Sequence, residues 1–173
     1  MTKVDEIERR FLTTSNEWRD TADEKRKLFI VQCYPDNLQR AGFFGRVRST
    51  LKPDGGIKYE RGDKEPAQGL KTPEDEWPVD ELAFLQMKLA AEEKNLRKWR
   101  WPITFDEPQI MVDEFTHIRN SRTDLVITEV EFTGADAEER ALAFTPSTWM
   151  GLEITGEHRW SNFSLCTQGV PAH

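Results

Sequence analysis

The strongest constraint on this chain is a set of short segments in which charged residues occupy every second position. They are residues 6–12 (EIERRFL), 46–48 (RVR), 98–101 (KWRW) and 129–132 (EVEF). Because successive side chains of a β-strand point to opposite faces, each segment read as a strand has a charged face and a bulkier, more apolar face. Two carboxylates and a guanidinium on one strand face are unusual against an apolar core, and they would be favourable if that face lined a wet, charged cavity.

The hydrophobic pattern and the turn signals predict a mostly antiparallel β fold of class α+β. The predicted strands cover residues 5–12, 28–34, 43–51, 57–62, 74–77, 98–105, 109–118 and 123–132. Helical spacing predicts helices over 79–96 and 135–144, with Val79, Leu82, Leu85 and Leu89 on the apolar face of the first. Ser161 or Asn162 is suited to cap a short last helix. Residues 63–73 are predicted to form a loop over a cavity mouth.

Strands of this kind can close into a barrel in two ways. The charged faces can point to water around an ordinary core, or they can point into a lumen while the apolar faces pack against helices and an outer shell. The sequence pattern alone leaves both arrangements open.

Composition excludes several classes of function. The 173 residues include six Trp and ten Phe, which is core-forming material for one domain, and the net charge of −7 argues against binding of nucleic acid or of an anionic membrane. No apolar run reaches the length of a membrane span and no signal-peptide core is visible, so a cytoplasmic location is expected. Cys33 and Cys166 lack metal-ligand spacing and are expected to be reduced thiols.

The acidic residues are candidate metal ligands. Two E-x-E pairs, Glu6 with Glu8 and Glu129 with Glu131, would place four carboxylates around one point if their strands were neighbours, and Asp113 is a fifth candidate. Mg²⁺ and Mn²⁺ prefer such oxygen ligands. The alternative is that these strands face solvent and the Glu residues only maintain solubility.

The basic residues are candidate phosphate ligands. They are Arg10, Arg46, Arg48, Arg61, Lys98 and Arg100. Paired bases on strand faces can bind several phosphate oxygens, and Arg can do so through two donors at once. The alternative is cross-strand ion pairing with exposed Glu, which stabilises a fold little. Acids and bases together indicate a site that holds a metal ion beside a polyanion, as phosphoryl transfer requires.

Six segments, taken in order, resemble the motifs of the CYTH proteins, the triphosphate tunnel metalloenzymes. Residues 6–12 resemble E-x-E-x-K, 46–48 resemble R-x-R, 98–101 resemble K-x-R-Y, 112–115 resemble part of W-E-x-D-x-F, 129–132 resemble E-x-E, and 149–162 resemble W-x-G-x-E-V-T followed by R-Y-S-N. The resemblance covers nearly the whole chain.

The resemblance implies one domain over residues 1–173, an eight-stranded closed antiparallel β-barrel that forms a tunnel, with flanking helices. It implies Mg²⁺ or Mn²⁺ and a small triphosphate substrate. The implied metal-side residues are Glu6, Glu8, Asp113, Glu129 and Glu131. The implied phosphate-binding residues are Arg10, Arg46, Arg48, Arg61, Lys98, Arg100 and Arg159, and the implied catalytic residues are Glu8, Arg10, Glu129 and Glu131. Glu74 or Glu76 is expected to match a further tunnel acid.

Some positions depart from the family pattern. Arg10 stands where the family usually has Lys, which keeps the charge but changes its geometry. Met111 stands where the motif has Glu, which removes a carboxylate. Trp101 and Trp160 replace Tyr.

The first functional hypothesis is a metal-dependent phosphohydrolase acting on inorganic triphosphate, a nucleoside triphosphate or thiamine triphosphate. The second is a polyphosphate- or nucleotide-binding module with little turnover, and the third is a relative that cyclises ATP. A homodimer is possible, and the sequence does not identify the preferred triphosphate.

Overall fold

A closed antiparallel β-barrel forms the body of the computed structural model, which describes residues 4–172 and, of the first strand, the side chains from residue 6 onward. Its strands are β1 (Val4–Leu12), β2 (Leu28–Cys33), β3 (Phe44–Leu51), β4 (Ile57–Lys64), β5 (Lys71–Pro78), β6 (Asn95–Thr104), β7 (Gln109–Ile118) and β9 (Val126–Phe132), with the two-residue β8 (Ser121–Arg122) paired to β7. Around the barrel the order is β1, β5, β4, β3, β2, β6, β7, β9 and back to β1. Within the described residues the predicted fold class is confirmed: eight strands close into a barrel.

Three α-helices accompany the barrel in the described part of the chain. They are α1 (Glu81–Ala91), α2 (Ala137–Ala143) and α3 (Asn162–Gln168). The side chain of Asp80 caps α1 by accepting from the backbone N–H of Ala83, and Ser161 caps α3 by accepting from that of Ser164. None of the helices in residues 4–172 is long and apolar enough to cross a membrane.

The strand register shows which face of each strand points inward. Glu8 lies opposite Glu131 and Arg10 lies opposite Glu129 across β1 and β9, and Arg100 lies opposite Asp113 across β6 and β7. Residues opposite each other in an antiparallel pair share a face, so the charged positions form one continuous inner surface. The charged faces therefore line a lumen, which is the second of the two arrangements that the sequence left open.

The outer faces of the strands are covered by the helices and by aromatic side chains. Val130 and Phe132 of β9 pack with Ala137 and Ala141 of α2. Another cluster joins Cys33 of β2 and Val47 of β3 to Phe84 and Ala91 of α1. A third cluster centres on the buried Trp18 and Trp101, whose ring centroids are 5.6 Å apart. The apolar core is thus mainly outside the barrel wall.

One end of the barrel interior is filled by apolar side chains and the C-terminal segment. Leu96, Phe115 and Ile127 of the wall pack with Trp160 and Leu165. The backbone N–H of residue 154 donates to the carbonyl of residue 10 at 2.8 Å and fixes the segment to β1. The remaining interior space is therefore bounded on this side.

The buried face of α1 differs from the predicted one. Phe84 is buried, with its ring centroid 5.1 Å from that of Tyr59, whereas Leu82, Leu85 and Leu89 are 66%, 49% and 81% exposed. The helix carries apolar residues on both sides, and the wall at β3 and β4 packs against Phe84. The prediction that the leucines face the core was wrong.

The predicted extent of α1 was also too long. The predicted helix runs to residue 96, but α1 ends at Ala91 because Glu92 adopts a positive φ of 53°. Residue 95 already pairs with β2 as the first residue of β6. The predicted loop over 63–73 is shorter too, since β4 continues to Lys64 and β5 begins at Lys71.

Two truncations on α1 test this orientation. Phe84→Ala removes a ring that is 3% exposed and should lower the free energy of unfolding by about 3 kcal/mol, whereas Leu89→Ala should change it by less than about 0.5 kcal/mol. Urea unfolding of both variants measures the difference. A larger loss for Leu89→Ala would show that the leucine face is the buried one.

Candidate active site

The barrel interior contains a cavity of about 260 Å³ lined by acids and bases. Its cationic lining residues are Arg10, Arg46, Arg48, Lys64, Lys98 and Arg100, and its inner carboxylates are Glu6, Glu8, Glu74, Glu129 and Glu131. The paired charges that the sequence pattern singled out therefore share one space. Asp113, Arg61 and Arg159 do not line this cavity.

The carboxylates of Glu8, Glu129 and Glu131 form the tightest acidic group in the described chain. One oxygen from each lies within 4.8 Å of the others. Burial, together with the charge of Glu129, raises the pKa of Glu131 to about 7. A hard divalent cation would offset the repulsion between these negative carboxylates and would find its oxygen ligands already close together. These residues therefore fit Mg²⁺ or Mn²⁺.

Glu129 also interacts with the cationic side of the cavity. Its carboxylate accepts from Arg100 at 2.5 Å and lies 3.5 Å from Nε of Arg10. Burial alone would raise the pKa of Glu129, but Arg100, Lys98 and Arg10 hold it well below its usual range. Glu129 therefore stays ionised and connects the carboxylate group to the bases.

Glu6 lies in the cavity but outside that group of carboxylates. Its carboxylate is 3.1 Å from Nζ of Lys64. Burial raises the pKa of Glu6 to about 7 despite the opposing charge of Lys64. The structure thus places Glu6 with a cation, beside the group formed by Glu8, Glu129 and Glu131.

Asp113, predicted as a metal-side residue, is fully buried in the wall between two bases. It accepts from Nζ of Lys98 at 2.5 Å and from Arg100 at 2.7 and 2.8 Å. Both of its oxygens are used by these contacts, and it does not join the carboxylate group. We correct the prediction: Asp113 is placed to orient Lys98 and Arg100.

Arg46 and Arg48 form the opposite wall with the acids of β5. Arg46 pairs with Glu74 and with Glu76, the latter at 2.6 Å, and Arg48 donates to Glu76 at 2.7 Å. Burial alone would raise the pKa of Glu74, but Arg46 and Lys64 lower it to about 2. The family resemblance left open which of the two acids belongs to the site. Glu74 lines the cavity, and both acids hold the arginines.

Several cations of the lumen have unused capacity for an anion. Among residues 4–172, Nη2 of Arg10 and Nε of Arg46 and of Arg48 are buried without a hydrogen-bond acceptor. Burial, together with Arg46 and Arg100, lowers the pKa of Arg48, and burial lowers the pKa of Lys98 to about 8. A buried N–H without an acceptor costs free energy, so phosphate oxygens at these positions would be favoured.

Two predicted phosphate-binding residues point elsewhere. Gly62 lies on the inner face of β4, so the neighbouring Arg61 lies on the outer face. The Arg61 guanidinium lies over the Trp77 ring, 5.1 Å from its centroid. Arg159 bonds to Glu157 at 2.9 Å and has a largely exposed side chain. The structure does not bring either residue to the cavity, so we correct both predictions.

Lys64 is the main lumen residue that the sequence reasoning missed. It lies on the same face of β4 as Gly62 and is opposite Glu74 and Phe44 in the neighbouring strands. The predicted strand ended at Gly62, two residues too early. Continuing the alternation by one more step would have placed Lys64 inside.

Gln32 and Tyr34 were also missed. The Gln32 amide donates to Oη of Tyr34 at 2.6 Å and accepts from Arg46 at 3.3 Å. Both residues line the cavity. Neither belongs to a charged pair, so the alternation of charges gave no signal for them.

No model of a known protein family matches the chain. The chain is 31% identical over 97 residues to an inorganic triphosphatase of Nitrosomonas europaea. The matched segment covers 56% of this chain and 61% of that protein, so the match spans about three fifths of the curated relative. The crystal structure of the inorganic triphosphatase NE1496 superposes with a TM-score of 0.62 at 24% identity, covering 99% of this chain and 98% of the other.

A second solved structure agrees in fold. It is a proposed adenylyl cyclase from Hippeastrum with a dominant triphosphatase activity, at a TM-score of 0.51 and 12% identity over 80% of this chain and 84% of that one. The chain has the triphosphate tunnel fold. The resemblance drawn from the motifs is thereby confirmed at the level of the fold.

The charges of the lumen predict how stability depends on pH in metal-free protein. Glu6 and Glu131 have a pKa of about 7 in the folded chain against an ordinary 4.5, so the folded state binds their protons more tightly than the unfolded state. The resulting stability is fully present below about pH 4.5 and is lost as pH rises through about 7. Thermal melts should show Tm falling on the order of 5 °C between about pH 5 and 7.5.

The control for this prediction is Glu131→Gln, which cannot ionise and should show a smaller fall in Tm. Added Mg²⁺ should raise the Tm of the unsubstituted protein more at pH 7.5 than at pH 5, because the carboxylates are then ionised. A Tm that rises over this pH range in metal-free protein would contradict the assignment.

Proposed function

We propose that this chain is a metal-dependent phosphohydrolase that cleaves the terminal anhydride of a small triphosphate inside the barrel. The supporting observation is that the carboxylates of Glu8, Glu129 and Glu131, within 4.8 Å of one another, share one cavity with Arg10, Arg46, Arg48, Lys64, Lys98 and Arg100. A polyanion and a divalent cation together complement this charge pattern. The similarity of this chain to the inorganic triphosphatase of Nitrosomonas europaea also supports this activity.

The cationic residues would bind and orient the phosphate chain. Arg46 and Arg48 can present donors to phosphate oxygens, since the Nε–H of each is buried without a hydrogen-bond acceptor among the described residues. Lys98 and Arg100 are held by Asp113, and Lys64 is held by Glu6 and Glu74. Such fixed positive groups stabilise negative charge that builds up as the anhydride breaks, without having to reorganise.

The acids would hold the cation and the attacking water. Glu8, Glu129 and Glu131 would ligate Mg²⁺ or Mn²⁺, which when bound supplies charge neutralisation at the phosphoryl oxygens. Glu129 or Glu131 would orient the water that attacks the terminal phosphorus. The bond to the bridging oxygen then breaks, and inorganic phosphate and the diphosphate leave. Arg10 would add a fixed positive charge next to Glu129.

A binding module with little turnover is the second candidate. The observation that favours it is the position of Met111, which lies opposite Glu129 across β7 and β9 where the family motif supplies Glu. One carboxylate fewer weakens the metal side while the phosphate side is kept. Tight binding of tripolyphosphate by calorimetry, without phosphate release in Mg²⁺ or Mn²⁺, would establish it, and cyclic AMP as product would establish the cyclase alternative.

We infer a single domain, although residues 1–3 and 173 lie outside the described part, and a cytoplasmic location. A homodimer stays a prediction.

A pair of substitutions on β4 tests the proposed function. Lys64→Gln removes a cation of the lumen and should lower kcat/KM for tripolyphosphate by about 100-fold. Arg61→Gln, three residues earlier and outside the cavity, should stay within about threefold of the unsubstituted protein, because its guanidinium lies over Trp77. Phosphate release with Mg²⁺ and with Mn²⁺ is the measurement.

Two outcomes would oppose the proposal. Unsubstituted protein that releases no phosphate above a Glu8→Ala/Glu131→Ala double variant would refute hydrolysis. An equal loss in Lys64→Gln and Arg61→Gln would show that the cavity is not where the substrate binds.

A further inference from the structure

Helix α1 leaves an apolar stripe in water. Leu82, Leu85 and Leu89 are all exposed, Leu89 to 81%, whereas Phe84 and Ala91 on the other side of the helix are buried against the barrel wall. Among the described residues no other helix has more than one exposed large apolar side chain. A contiguous exposed apolar patch marks an interaction site, whereas single exposed apolar residues are ordinary.

The spacing of the stripe is suited to packing against a second helix. Its leucines follow the i, i+3, i+7 pattern, which keeps them on one side of the helix over two turns. Because α1 has 11 residues and is about 16 Å long, the stripe covers most of its length. Leucines at these positions insert between the side chains of a facing helix, as they do in a coiled coil.

The stripe is also complementary to itself. If two copies of α1 pack antiparallel about a two-fold axis, Leu82 of each copy meets Leu89 of the partner subunit, because these residues lie at equal distances from the middle of the stripe. Leu85 then lies next to the axis and meets Leu85 of the partner subunit. Such a contact uses the same surface twice and closes at two copies.

The charges beside the stripe fit the same antiparallel pair. Glu81 and Lys88 are seven residues apart, so they lie on one flank of the stripe, and both are exposed. The hydroxyl of Tyr59 donates to Glu81 at 3.1 Å and holds its carboxylate at that flank. In the antiparallel pair equal flanks meet, so Lys88 reaches Glu81 of the partner subunit on both sides of the axis. A parallel pair would set Lys88 against the opposite flank, which carries Ala83 and Ala90.

We propose that this chain forms a homodimer in which α1 packs antiparallel against α1 of a second copy. Burial of the leucine stripe drives the association, and the two contacts between Lys88 and Glu81 set the direction of the helices. One helix face covers less than the roughly 1,600 Å² of a standard interface, so the Kd is on the order of 100 µM. At a concentration of about 5 µM, suitable for urea unfolding, the chain is then monomeric.

The first test changes the middle of the stripe. Sedimentation velocity between about 5 and 500 µM should show the weight-average mass of the unsubstituted protein rising from that of one chain towards that of two. Leu85→Glu brings two carboxylates together at the axis and should raise the Kd at least about tenfold. The matched control is Leu142→Glu on α2, which is 72% exposed and should leave the Kd within about twofold. Circular dichroism checks that both variants keep the fold.

The second test concerns the direction of the helices. Lys88→Glu and Glu81→Lys should each raise the Kd about fivefold, because two like charges then meet on both sides of the axis. An equimolar mixture of the two variants should associate within about threefold of the unsubstituted protein, because each mixed pair again joins a carboxylate to an ammonium on both sides. A purely structural role of either residue would not produce this recovery.

Three outcomes would overturn the proposal. A chain that stays monomeric up to about 500 µM would leave the stripe to a different partner. A dimer that is equally stable in Leu85→Glu, or weakened as much in Leu142→Glu, would have its interface elsewhere. A mixture of Lys88→Glu and Glu81→Lys that associates no better than either variant alone would exclude the antiparallel contact between these residues.

Discussion

The structure depends on mutual compensation of ionised groups inside the barrel. Lys98 and Asp113 each expose only 1% of their side chains, and neither charge could be buried alone without a large loss of hydration. Asp113 also binds Arg100, and Arg100 reaches Glu129, so the compensation runs from the wall to the group of acids. Removing Asp113 would leave the Lys98 ammonium buried without the carboxylate that it contacts, so these ionised groups depend on one another.

The outer shell and the C-terminal segment make that compensation effective. The helices cover the apolar outer faces of the strands, and the cluster around Phe115 and Trp160 fills one end of the interior. With water reduced on these sides, charge pairs in the lumen interact more strongly than they would at a surface. The same exclusion raises the pKa of Glu131 and lowers that of Lys98. The interior is therefore poised to gain from a bound cation and a bound polyanion together.

The alternation of charges predicted much of this arrangement, and its failures have physical causes. Paired residues such as Glu129 and Glu131 were placed correctly because a period of two fixes a face once the strand is known. Lys64 was missed because the predicted strand ended at Gly62, and hydrogen bonding to neighbouring strands decides where a strand ends. Arg61 was misassigned because it lies one residue from the inward Gly62 and therefore points to the outer face. Asp113 shares the inner face, but its two oxygens are already used by Lys98 and Arg100. Local sequence does not reveal such pairing.

Helix α1 shows a different limit, since apolar residues occupy both of its sides. Helical spacing identified an apolar stripe, but tertiary packing selected Phe84 over the leucines, because the groove between β3 and β4 offers Tyr59 and Val47 to a ring. A pattern that fits two faces cannot choose between them. The choice depends on the barrel wall, which forms only from residues far apart in the chain.

The departures from the family motif act on the same balance of charge. Met111 lies opposite Glu129, so no additional carboxylate lies next to Glu129 at this position. Glu129 contacts Arg100 and Arg10 instead. The Arg10 guanidinium donates to the carbonyl of Trp160 at 3.1 Å, a contact that joins it to the C-terminal segment. Its Nη2 remains buried without an acceptor among the described residues. Because Met111 brings no carboxylate while Arg10 keeps a positive charge beside Glu129, the lumen near Glu129 is less acidic than the family pattern would make it.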